Sequence, residues 1–207
     1  MPKTNHIPDK STEEKIKAAA RKLFTHNGFA AVKTRDIAAE AGINIALLNY
    51  YFRSKQKLFD IIMLENIHQF VEGLAPMLGD ETKTFEEKIE ILACTYIDML
   101  LQNPDLPLFV LNEMSSPSST FPTKLSTISP FREVFIRQFK EGIKSGKYAP
   151  IHPSHLMANL MGLIIFPFAA RPMLFRVGHL DLKQFDALMQ ERKKMIPVWL
   201  QAMLKAK

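Results

Sequence analysis

The chain has 207 residues, 47% of them hydrophobic, enough to bury one sizeable core or two small ones. Its single cysteine, Cys94, rules out an intrachain disulfide framework and, lying in an apolar pattern with Leu92 and Tyr96, reads as a small buried hydrophobe. The longest apolar block, residues 160–170, is interrupted by Pro167 and falls well short of the ~20 residues that a membrane span needs. The first ten residues hold no apolar run of the signal-peptide kind, so a frayed arm on a cytoplasmic protein with no membrane partner is expected. The formal charge is +6, unevenly placed: residues 1–70 carry 11 Lys and Arg against 7 Asp and Glu.

Nearly every periodic stretch has a helical period. Ser11 with Glu14 forms a capping-box pattern ahead of a face of Ile16, Ala20, Leu23 and Phe24, and Asn27-Gly28 stops that helix. Thr34 is placed to cap a second helix, Asp36 sits in its first turn where the helix dipole favours negative charge, and Gly42 ends it. A third helix follows, with Ile43 and Leu47 plugging the angle and Asn44, Ile45, Ala46 and Asn49 left outward. Ser54 caps a fourth helix to about residue 74, whose end Gly73 and Pro76 weaken. The fifth, about 84–103, keeps Phe85, Ile89, Leu92, Tyr96 and Leu100 in step, and a short apolar segment spans 108–114. A Ser/Pro-rich loop covers 115–122; Ser129-Pro130 opens a helix bearing Phe131, Phe135, Phe139 and Ile143, closed by Gly146. His152-Pro153 starts an almost wholly apolar helix over 154–173, and Asp181 caps the last, to 205, with a kink expected at Pro197. No alternating strand pattern occurs. The fold class is therefore all-α, about nine helices.

Two short helices joined at a glycine, over about 33–52, form a helix-turn-helix pattern suited to a DNA major groove. An Asn amide can pair with the N6 and N7 edge of adenine, and Ile45 or Ala46 can touch a thymine methyl. Lys33, Arg35, Arg53, Lys55 and Lys57 flank the second of these helices, where phosphate neutralisation adds salt-dependent affinity. Enzymatic chemistry is not indicated. There is no Gly-rich phosphate loop, H-E-x-x-H, paired-carboxylate motif or nucleophile elbow, and no His and acid are placed to activate the 115–122 hydroxyls. His152 and His155, three apart, lack a third ligand and read as structural, so neither metal nor cofactor is expected.

From about Lys10 to Phe70 the chain resembles the N-terminal domain of TetR-family (TetR/AcrR) transcriptional regulators. The residues that carry this are Gly28-Phe29, Thr34, Ile37-Ala38, Ala41-Gly42-Ile43-Asn44, Tyr50-Tyr51-Phe52, Ser54-Lys55 and Leu58-Phe59, in order and at family spacing. The resemblance implies that Thr34, Tyr50, Tyr51 and Lys55 touch phosphates and that Asn44, Ile45, Ala46 and Asn49 read bases, with Lys33 and Arg35 beside them. Asn44 is open to a second reading as a helix cap, Tyr50 as core, and Lys55 as a solvated lysine. Relatives often carry Ser or Thr at the Asn44 position and Tyr at that of Asn49, so their operator preferences do not transfer.

The same resemblance implies a helix-turn-helix DNA-binding domain over 10–70 and a helical C-terminal bundle over 71–207 for ligand binding and dimerisation. Its implied role is a regulator, most often a repressor, released from a palindromic operator on double-stranded DNA by a small apolar or aromatic effector. Tyr96, Phe109, Met114, Phe135, Met157, Met161, Phe166, Phe168 and Met173 are the expected effector lining, with ordinary bundle core as the competing reading. A homodimer is expected through the last two helices, by way of Leu160, Ile164, Phe185, Leu188, Ile196, Trp199, Leu200 and Met203. The rival functions are an all-α enzyme using the bundle cavity and an effector-independent DNA-binding or interaction module.

Overall fold

Glycine, proline and the short polar side chains set where the helices of this chain begin and end. The computed structural model describes residues 10–115 and 129–205 and, among these, ten helices and no strand. They are α1 (Lys10–Ala31), α2 (Thr34–Glu40), α3 (Ile45–Phe52), α4 (Lys55–Gly79), α5 (Phe85–Gln102), α6 (Leu106–Ser115), α7 (Ser129–Lys144), α8 (Pro153–Ala169), α9 (Arg171–Arg176) and α10 (Leu182–Lys205). The expected N-terminal arm, most of the Ser/Pro-rich loop and the side chain of Phe131 lie outside the described residues. Contacts divide the chain into a unit ending at Ile67 and a unit beginning at His68, a division that falls within α4.

The all-α architecture agrees with the sequence; several helix ends do not. The helix expected over 154–173 breaks at Ala170 (φ −89°, ψ 7°), because Pro172 cannot donate the next helical hydrogen bond, and so it becomes α8 and α9. α4 instead passes Pro76 and reaches Gly79, since Leu74, Ala75 and Leu78 are buried and their packing offsets the lost backbone bond. α1 is interrupted where expected, at Gly28 (φ 74°, ψ 157°), before a last short turn.

In the first unit Ile16, Ala20 and Phe24 of α1 meet Ile37 and Ala38 of α2, Leu48 and Phe52 of α3, and Leu58, Phe59 and Ile62 of α4 as a buried core. The Phe24, Phe29 and Phe59 rings pack at 4.5–5.8 Å between centroids, which explains the Gly-Phe and Leu-Phe pairs of the motif. Lys17 is buried as well. Its Nζ lies 2.7 Å from Glu14, 3.2 Å from Glu13 and 2.9 Å from Glu65, and Arg21 also donates to Glu65, which ties α1 to α4. Burial alone would push the Lys17 ammonium down; the surrounding carboxylates hold it well above the ordinary lysine range.

In the second unit α10 packs along α5, and α8 contacts both. Phe85 of α5 stacks with Phe135 and Phe139 of α7 and with Tyr148, at 4.7, 5.5 and 5.5 Å. Gly142 is required here, since a Cβ would sit 2.0 Å from the Tyr148 ring. Phe168 and Phe175 pack edge-on against Phe185, and Arg192 donates to the Leu163 carbonyl at 2.6 Å, fastening α10 to α8. The residues expected to face a second copy need correcting. Leu160, Ile164, Phe185, Ile196 and Leu200 are 0–1% exposed inside this unit's own core, leaving Leu188, Met203 and Trp199 partly exposed. A period of 3.6 marks a buried face without saying whether it is buried by its own chain or by another.

Candidate nucleic-acid interface

The segment from Lys33 to Lys55 is assembled from local backbone chemistry. Lys33 is extended, and its N–H donates to Asp36 Oδ2 at 2.9 Å, so Asp36 closes the start of α2 from within the helix. Thr34, expected to be the cap, is instead the first helical residue. At the other end Gly42 takes φ 68°, with the Gly42 N–H on the Ala39 carbonyl and the Ile43 N–H on that of Ala38, 3.1 and 2.9 Å. This paired, left-handed ending is the Schellman motif, and it turns the chain sharply into α3. Asn44 then caps α3, its Oδ1 accepting from the Leu47 N–H at 2.8 Å.

α3 buries Leu48 and Phe52 and leaves Leu47 and Tyr51 half-buried, while Ile43 is half-buried beside the turn. The core anchor is therefore Leu48 more than the expected Ile43 and Leu47. Ile45, Ala46, Asn49 and Tyr50 are exposed, Tyr50 at 58%. At 100° per residue these four span an arc of about 140° on one side of the helix. Asn44, also exposed, precedes the arc, and Arg53 follows it at φ 61°, with its N–H on the Asn49 carbonyl at 2.9 Å. The structure thus brings three of the four expected base-reading positions, Ile45, Ala46 and Asn49, to one face, together with Tyr50. It also commits the carbonyl oxygen of the Asn44 amide to the cap and leaves Tyr50 outside the core.

Around that arc, Lys33, Arg35, Arg53 and Lys57 are exposed. Ser54 Oγ accepts from the Lys57 N–H at 3.1 Å and so starts α4. Lys55 is not a merely solvated lysine. Its Nζ donates to the carbonyls of Phe29 and Val32, both at 2.8 Å, and lies 4.1 Å above the Phe29 ring. Two of its three N–H donors therefore pin the start of α4 to the end of α1. Nothing in the motif's spacing reveals that partner, because α1 ends more than twenty residues earlier in the chain.

The expected effector lining is spread through the second unit. Phe109, Phe135 and Phe168 are buried; Tyr96, Met157 and Met161 are half-buried; Met114, Phe166 and Met173 lie at the surface, 50–61% exposed. Phe135 is occupied by Phe85 and Phe168 by Phe185, while Tyr96 stacks on Phe70 at 4.8 Å and burial pushes its hydroxyl up to about 12. The His152 ring caps α8, accepting from the Ser154 N–H at 3.2 Å, as the structural reading required. No helix among the described residues is long and apolar enough to cross a membrane.

Comparison with known proteins agrees with this geometry. The family model of bacterial regulatory proteins of the tetR family matches residues 16–62. A probable HTH-type transcriptional regulator of Bacillus subtilis, YttP, is 28% identical over 165 residues, covering 76% of this chain and 77% of its own. The nucleoid occlusion factor SlmA of Aliivibrio fischeri is 24% identical over 155 residues, covering 73% and 79%. A TetR transcription regulator from Haloarcula marismortui shares the fold, with a TM-score of 0.63 at 20% identity over 95% of this chain and all of that one. The helix-turn-helix, the exposed α3 face, the family model over residues 16–62 and these relatives together support a TetR-family DNA-binding transcriptional regulator.

Proposed function

We propose that the chain is a cytoplasmic, homodimeric repressor that binds a palindromic operator and is released by a small apolar or aromatic effector. The observation that carries the DNA half of this reading is the exposed arc of Ile45, Ala46, Asn49 and Tyr50, held by the Gly42 turn and the Asn44 cap. Residues 10–70 serve as the DNA-binding domain and 71–207 as the effector and dimer domain. Asn44, Ile45, Ala46 and Asn49 meet bases, while Lys33, Thr34, Arg35, Tyr50, Tyr51 and the third donor of Lys55 meet phosphates.

Pairing through the last helices draws support from the apolar side chains they leave exposed: Phe166 of α8, and Leu182, Val198 and Trp199 of α10, 38–61% exposed. Two-fold pairing presents two copies of α3 to one side of a duplex, hence the palindrome. α4, one helix from Lys55 to Gly79, is the covalent connector through which an effector would act, with a coupling of typically ~1–3 kcal/mol. The similarity to a nucleoid occlusion factor favours a second reading, DNA binding in the service of nucleoid occlusion. Sedimentation on the bound duplex and transcription in vitro from a promoter carrying that site test the main reading. Two chains per site and a reduced transcript are expected; one chain per site, or a raised transcript, contradicts it.

A further inference from the structure

Lys88 of α5 is wholly buried, and its Nζ has no hydrogen-bond partner among the described residues. That is unusual, because an unpaired ammonium in an apolar interior is strongly penalised and buried lysines are normally matched to an acid. The nearby acids are committed elsewhere. Asp80 accepts from the backbone and hydroxyl of Thr82, and Glu81 is paired with Arg137. A second orphan occupies the same corner between the start of α5 and α7. Gln138 donates its Nε2 to the Lys83 carbonyl at 3.0 Å, which leaves its Oε1 buried and unpartnered. Apolar surface adjoins both: Phe85 lies one turn before Lys88, and Phe135 and Phe139 bracket Gln138 in α7.

We infer that Lys88 Nζ and Gln138 Oε1 form the polar end of a ligand site in the second unit, and that its ligand is a weak organic acid with an apolar body. A carboxylate accepts from Lys88 and cancels its buried charge, which neither a water molecule nor a neutral amide does. A metal cation is disfavoured by the same ammonium. The Gln138 oxygen takes a hydroxyl or N–H where the ligand carries one, and the Phe85, Phe135 and Phe139 rings, closed on one another here, part to meet its body. The inference rests on the effector reading and gives that effector a chemical class.

Burial holds the Lys88 amine below its ordinary range, opposed by Asp80 and Glu81 and aided by Arg137. An arriving carboxylate acts in the opposite direction and favours the charged form. The test is calorimetric titration of the full chain at neutral pH with benzoate and octanoate and their neutral counterparts benzamide and octanol. The carboxylates are expected to bind, and the neutral compounds at least ten-fold more weakly. Lys88→Met, which keeps an apolar stem and removes the orphan, folds and loses at least ten-fold in carboxylate affinity. The site is overturned if neither carboxylate binds, if Lys88→Met binds as the wild type does, or if the neutral compounds bind equally. DNA affinity measured alongside separates the two claims. Carboxylates that bind through Lys88 and leave DNA affinity unchanged uphold the site and remove the effector reading.

Discussion

Lys55 and Asn49 stand at opposite ends of the same local structure and do different work. Lys55 spends two donors on the Phe29 and Val32 carbonyls, so Lys55→Ala leaves both without a charged partner and opens the join between α1 and α4. Its cost in chemical denaturation is expected at about 1–3 kcal/mol, a magnitude typical for charged hydrogen bonds. The variant also weakens binding to all duplexes by a similar factor and lowers the salt slope by about one unit, as a phosphate contact does. Asn49 is exposed, and Asn49→Ala is expected to change stability by no more than about 0.5 kcal/mol. Denaturation curves that coincide for the two variants would deny Lys55 its structural part.

At the scale of single elements, the turn between α2 and α3 depends on backbone geometry alone. Gly42 has φ 68°, yet nothing lies within 4 Å of a Cβ placed there. Gly42→Ala therefore costs about 1 kcal/mol through left-handed strain, without a steric clash. Arg53 bears the same strain at φ 61°, and Arg53→Gly is expected to raise thermal stability by up to about 1 kcal/mol while weakening DNA binding. Such punctuation was legible from sequence because one residue type answers one local requirement, as at Gly28, Gly42, Asn44 and Ser54. The far end of α4 and the α8–α9 break were not. At Pro76 the burial of Leu74 and Leu78 outweighed a lost hydrogen bond, whereas at Pro172 the lost bond prevailed, with the side chain of Met173 left outside the core.

For the whole molecule, the pattern that read clearly was the one repeated along the chain, and what stayed hidden depends on distant partners. Lys17 and Lys88 look like surface lysines in a helical pattern, and only the folded structure shows one ringed by carboxylates and the other without a partner among the described residues. Glu86 is a third case: burial would raise its carboxyl, but the Lys147 ammonium at 2.8 Å and the Tyr148 hydroxyl at 2.7 Å hold it below the ordinary 4.5. A folded value below the unfolded one stabilises the fold above about pH 4.5 and is lost as pH falls through the depressed value. Glu86→Gln should flatten that acid limb of a stability profile, and an unchanged limb would remove Glu86 from it. The central claim, that the exposed arc of α3 reads bases, is tested most directly by selecting duplexes from a random pool with the wild type and with Asn49→Ala. The wild type is expected to enrich an inverted repeat, and the variant to lose preference at one symmetry-related pair of positions, by about 1–3 kcal/mol each. No enriched motif, or the same motif from both proteins, would contradict it.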